Sequence, residues 1–130
     1  MKLFLKIFVL LFSLSSFTQV EPKTELTDTL ADLLREGNSK ELAQFLDNTI
    51  ELTLQDRESS YSKAQTEIIL KNFFLKNPPK SFKVMHRGSS EKGGKYLIGV
   101  LTVENGSTFR TSIVMQEKAD GYKIQQLRFE

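Results

Sequence analysis

Residues 95–129 read KYLIGVLTVENGSTFRTSIVMQEKADGYKIQQLRF. Three runs rich in β-branched and aromatic residues, about 95–104, 107–117 and 122–129, are separated by Asn105-Gly106 and Asp120-Gly121. Such dipeptides favour tight hairpins, because both turn positions want positive φ. A further run, Ser81 to Gly88, reaches the first of these through GSSEKGG (88–94). The C-terminal half therefore predicts three successive hairpins, an antiparallel meander of four strands.

Two of these runs carry more information. The run 95–104 is apolar on both parities, with Tyr96, Ile98 and Val100 on one and Leu97, Leu101 and Val103 on the other. A strand covered on both faces is central, or its outer face meets a partner. The run 122–129 changes parity between Ile124 and Leu127/Phe129. A bulge near Gln125-Gln126 reconciles the two halves and bends the sheet.

Upstream, the period changes to that of helices. Leu26, Leu30, Leu33 and Leu34 fall at i, i+4, i+7 and i+8 within Glu25–Glu36, an amphipathic stripe. Gly37 suits the left-handed position after a helix. Asn38 or Ser39 opens a second helix, with Glu41 placed for a capping box. Leu42, Phe45 and Leu46 form its apolar face, and Asp47-Asn48 ends it. In 49–54, Ile50, Leu52 and Leu54 alternate with Glu51 and Thr53, which predicts a half-buried strand. Gln55 to Ser60 reads as a charged loop. Ser62 with Gln65 caps a third helix bearing Ala64, Ile68, Ile69, Phe73, Phe74 and Leu75. Asn77-Pro78-Pro79 stops it.

The first residues are of another kind. Lys2 and Lys6 precede an apolar run from Ile7 to Leu14, and Ser16-Phe17-Thr18 offers small residues at −3 and −1 before Gln19. This order predicts a cleaved secretory signal peptide over 1–18. The competing reading is an uncleaved membrane anchor, disfavoured because the run falls short of the ~20 apolar residues a span needs. Residues 19–24 then form a tether and 25–130 the folded domain. The expected product is exported, periplasmic or secreted, with no membrane attachment after cleavage. The chain has 18 basic and 16 acidic residues, and losing Lys2 and Lys6 with the signal leaves 16 of each. That balance lacks the basic footprint of a nucleic-acid binder. The chain has no Cys and one His, which excludes a disulfide framework and the usual zinc sites. Gly88, Gly93 and Gly94 lack the Lys-Ser/Thr and the following helix of a phosphate loop. No metal or other cofactor is expected.

The order of helix, helix, strand, long apolar helix and four-strand meander resembles the nuclear transport factor 2-like superfamily, a cystatin-like cone. The resemblance is closer in YSKAQTEIILKNFFLKNPPKSFKV (61–84), KYLIGVLTVENGSTFR (95–110) and YKIQQLRFE (122–130). These segments are similar to those of small exported proteins, mainly from Bacteroidota, that form a domain family with no assigned function. The resemblance implies an α+β fold, with N-terminal helices packed on a curved antiparallel sheet. It implies no particular activity, since one fold hosts many functions.

The candidate site residues are few. His86, the lone histidine, shares parity with Phe82 and Val84, which predicts a side chain directed into the cone. Imidazole titrates near working pH, so His86 is the weak catalytic candidate, against a solvated or hydrogen-bonded histidine at a strand end. Tyr61, beside Asp56, Arg57 and Glu58, is a candidate for ligand binding at the cone mouth, against simple packing at the helix start. Arg110 and Arg128 are candidates for an anionic ligand, against arginines covering the sheet with their stems. Phe73, Phe74, Phe82 and Phe109 either line a cavity or fill the core. The leading expectation is an exported non-catalytic module that binds an unknown small molecule or protein. The alternative is a small enzyme of isomerase or dehydratase type, with acid/base residues in the cone. Homodimerisation through the outer sheet face is a further possibility.

Overall fold

The computed structural model describes residues 25–130, so the signal-peptide and tether expectations lie outside the described residues. The chain runs α1 (Leu26–Glu36), α2 (Ser39–Ala43), β1 (Leu46–Leu54), β2 (Arg57–Ser62), α3 (Lys63–Lys76), β3 (Pro79–Ser89), β4 (Gly94–Val103), β5 (Thr108–Lys118) and β6 (Gly121–Phe129). Local chemistry sets several of these limits. Gly37 ends α1 at φ 64°, a conformation glycine adopts without a Cβ penalty. Ser62 and Gln65 form the full capping box of α3. At α2 only half of the box is made: Asn38 accepts from the Glu41 N–H.

The six strands form one sheet in the order β2-β1-β6-β5-β4-β3. The four-strand meander is present, with β3, β4, β5 and β6 antiparallel to their neighbours. The sheet as a whole is mixed, not antiparallel, because β1 pairs with β6 in parallel. The reason is topological. The segment β1–β2–α3 crosses from one end of the meander to the other, so β1 meets the last strand in the same direction. The expected charged loop is also corrected. Only the hairpin turn at Gln55-Asp56 is loop, and Arg57–Ser62 forms β2 against β1. Its sequence RESSYS has no apolar alternation because it is a mostly exposed edge strand. Helix α2 stops at Ala43, and Leu46 already belongs to β1, since the Ile124 N–H bonds to the Phe45 carbonyl.

The turns differ from the expected geometry too. At Asn105-Gly106 only Gly106 has positive φ, at 90°. The Asn105 side chain accepts the Ser107 N–H at 2.8 Å, which supports a longer turn than the two-residue type. At Asp120-Gly121 only Gly121 is positive, at 116°.

Inside the sheet's curve lie α1, α2 and α3. Four phenylalanines meet at the centre. Phe73 stands 5.2 Å from Phe109 and 4.8 Å from Phe129, centroid to centroid, and Phe74 meets Phe129 at 6.0 Å. Phe129 is fully buried, with Leu30, Leu34, Leu42, Leu97, Leu101 and Ile113 around it in the same core. Helix α3 carries apolar residues on both its faces, however, and Ile68 and Leu75 face out, 60% and 68% exposed.

Helix α1 is pinned to β3 by polar contacts. Arg35 donates to the Phe82 carbonyl at 3.1 Å, and Arg87 pairs with Asp28 and, at 4.0 Å, with Glu25. At the opening of β1, Asp47 accepts the Asn48 N–H at 2.8 Å and lies near Gln125 and Lys118. The Asn48 N–H is the chief cause that holds the Asp47 carboxyl below its ordinary value, with Gln125 and the two lysines Lys118 and Lys123 adding to it against the cost of burial.

Two outcomes are expected. Phe129→Ala should cost about 3–5 kcal/mol, as large-to-small changes in filled aromatic cores do, whereas Leu75→Ala on the open side of α3 should stay within about 0.5 kcal/mol. Urea unfolding of both variants checks this, and equal losses would contradict the assignment of the core. A carboxyl whose pKa is depressed on folding stabilises above its unfolded value and loses that contribution as pH falls through the folded one. The Asp47 contribution should therefore be complete above the ordinary value of 3.8 and fade below it. Asp47→Asn should flatten that part of the acid-stability curve, read from urea midpoints at stepped pH.

Candidate functional site

The geometry of the site begins with a bulge. In the β3–β4 ladder Val84 opposes Gly99, but the next pair is His86 with Ile98, so Met85 is an extra residue on β3. Before the bulge, Phe82 and Val84 face the core. After it the parity is reversed. His86 stands beside Ile98 on the outer face and is exposed, while Arg87 turns inward to the carboxylates of α1. The expectation that His86 points into the cone is thus overturned, because simple alternation from Phe82 assumes no inserted residue.

Two glycines let aromatic side chains approach the backbone closely on either side of this ladder. Inside, the Phe82 ring covers Gly99, where a Cβ would fall 2.4 Å from the ring. Outside, the Tyr96 ring covers Gly88, where a Cβ would fall 2.7 Å from its hydroxyl.

Registers across the sheet place the outer side chains in rows. One row reads His86, Ile98, Ser112, Arg128, Thr53, Glu58, crossing all six strands from β3 to β2. The next reads Gly88, Tyr96, Val114, Gln126, Glu51, Ser60. A shorter third row reads Lys83, Val100, Arg110. The two halves of this face differ. Over β1, β2 and β6 it is polar, and Arg128 and Glu58 approach to 3.7 Å across Thr53. Along β4 it is apolar, where Tyr96, Ile98 and Val100 are joined by Val114 of β5, while Arg110 and Ser112 keep the rest of β5 polar. Tyr96 and Val114 remain 39% and 37% exposed. A groove of about 520 Å³ opens here between His86, Tyr96, Ile98 and Val114, with Ser90 and Lys95 toward the β3–β4 turn.

Of the candidate residues, His86 and Arg110 come to this same face and flank the apolar stripe from opposite sides. Tyr61 does not join them. It pairs with Ile50 on β2, faces inward and packs against the core. Arg57 lines a separate groove of about 430 Å³ at the β1–β2 turn, with Gln55, Asn72, Phe73 and Lys76. The Lys95 ammonium lies 4.5 Å over the Tyr122 ring. Lys83 and Val114 were not singled out by the sequence. Their signal was the double parity of 95–104, which requires neighbouring strands to supply the same outer face. Among the described residues no three His, Asp or Glu side chains cluster as a metal site would need.

A family model described as a domain of unknown function (DUF4783) matches residues 27–130. A protein of that family from Bacteroides uniformis is 25% identical, with a TM-score of 0.76 over 82% of this chain and 96% of its own. One from Bacteroides fragilis is 31% identical, with a TM-score of 0.71 over 77% of this chain and 92% of its own. A designed nuclear transport factor 2-type protein with a long sheet, 14% identical, shares the fold with a TM-score of 0.62 over 79% of this chain and 94% of its own. No curated protein matches. The filled cone, the curved six-stranded sheet and the match over residues 27–130 place this chain in the DUF4783 family, domains of unknown function with a nuclear transport factor 2-like fold.

Proposed function

We propose that the chain is an exported, non-catalytic module that binds a protein partner through the outer face of its sheet. The observation that carries this reading is the apolar stripe of Tyr96, Ile98, Val100 and Val114 on a face no described element covers. A sheet face turned to water ordinarily alternates apolar-in with polar-out. β1, β6 and most of β5 obey that rule, and β4 with Val114 of β5 breaks it. Contiguous apolar surface of this kind marks interaction sites.

The cone interior supports the non-catalytic part. Phe73, Phe74, Phe109 and Phe129 occupy the space where polar side chains would have to converge for chemistry. His86, the residue best suited to proton transfer, stands outside that space. Export rests on the order of Lys2, Lys6, the apolar run and the small residues before Gln19.

Both parts are testable in the native host. A photo-crosslinking amino acid at position 96 or 98 should give one discrete adduct, lost on adding excess unlabelled chain, while the same group at position 68 on α3 should not. Equal adducts from all three positions, or none, would remove the sheet face as the binding site. N-terminal sequencing of the chain from the periplasmic or culture fraction should begin at Gln19. Intact Met1 in the cytoplasm would overturn export.

A further inference from the structure

We propose that the partner presents an acidic amphipathic helix, which lies along β4 on the outer face. This deepens the reading above and rests on it. Tyr96, Ile98 and Val100 follow one another on the outer parity of β4, so the stripe is about 13 Å long between its end residues. That is roughly two and a half turns of helix.

Cations edge the stripe on both sides. On β3, Lys83 stands opposite Val100. On β5, Arg110 stands opposite Val100 from the other side. Arg128 lies one strand further out, in the row of Ile98 and Ser112. Arg128 already shares Glu58. Among the described residues, Lys83 and Arg110 take part in no ion pair. Glu130 meets Arg110 only through paired backbone hydrogen bonds.

An apolar centre with a cation on each margin has a complement: a helix whose apolar stripe is edged by Glu or Asp. The charge pattern also argues against one arrangement of a second copy on the same stripe. Turning a copy about an axis along β4 sets Lys83 over Arg110, since both stand level with Val100. That arrangement brings like charges together, which opposes pairing.

The test uses the exported chain and two synthetic helices of about 16 residues, ~24 Å long. They share one leucine stripe, edged by Glu in one and by Lys in the other. Fluorescence anisotropy should show the Glu peptide binding at least about tenfold tighter than the Lys peptide at about 50 mM salt, with the difference shrinking at about 200 mM. Lys83→Glu with Arg110→Glu, both exposed and outside the core, should reverse the preference. Equal binding of the two peptides, abolished by Ile98→Asp, would overturn the acidic helix and leave the sheet face as the site. Binding unchanged by either variant would overturn both. No binding by either peptide, with a dimer in sedimentation that Ile98→Asp dissolves, would overturn the acidic helix in favour of a second copy.

Discussion

The inserted residue Met85 divides the labour of the sheet's longest edge. Without it, strict alternation would send His86 into the core beside Phe82 and Val84 and leave Arg87 facing water. With it, Arg87 reaches Asp28 and Glu25 on α1, and the helix gains its second polar tie to β3 after Arg35. Exposed ion pairs of this kind add little stability alone. Their use here is positional, since they fix where α1 crosses a core whose apolar contacts are non-directional. The same insertion leaves His86 and Lys83 together on the outer margin of β4.

A second insertion works at the opposite end of the meander. In the β5–β6 ladder Val114 opposes Gln126 and Met115 opposes Ile124, so Gln125 is extra. Ile124 and Leu127 can then both face the core, and both are fully buried. Bulges increase local twist and bend a strand. The two insertions, with the glycine at 99 under the Phe82 ring, curve the sheet tightly enough for four phenylalanines to close its interior. Phenylalanines fill the interior, and the apolar side chains of the outer surface gather along β4 beside Val114 of β5.

How legible this was depends on whether a feature is local. The capping box at Ser62, the stop at Gly37 and the bulge at Gln125 were readable because their causes lie within a few residues. The helix at 63–76 was readable as a helix but not in orientation: apolar residues spread round its circumference cannot tell that Ile68 and Leu75 face out. β2 was hidden because RESSYS has no apolar alternation, and its pairing with β1 supplies what its composition lacks. The parallel meeting of β1 with β6 depends on the whole path of the chain. Of the site, His86 and Arg110 were visible as residue types, and the apolar run 95–104 marked the strand between them. That they flank one stripe required the register, and the Met85 insertion has no local signal in PKSFKVMHRGS.

The outer face is itself divided, and the division argues for direction in binding. Over β1 and β6 the face is polar and carries one ion pair. Arg128 and Glu58 span Thr53, which is only 6% exposed, and whose hydroxyl has no hydrogen-bond partner among the described residues. A new contact to Arg128 or Glu58 must first break that pair. Over β3 to β5 the opposite holds: Lys83 and Arg110 remain uncommitted beside apolar neighbours, which lowers the local dielectric a partner's carboxylate would meet once water is excluded. A contact there gains apolar burial and charge pairing together, with no internal pair to disrupt. Separately, Lys80 and Lys83 on the exposed edge of β3, with the bulge beside them, oppose edge-to-edge association of two sheets. On the proposed reading, Lys83 and Arg110 are the charges an acidic partner would meet.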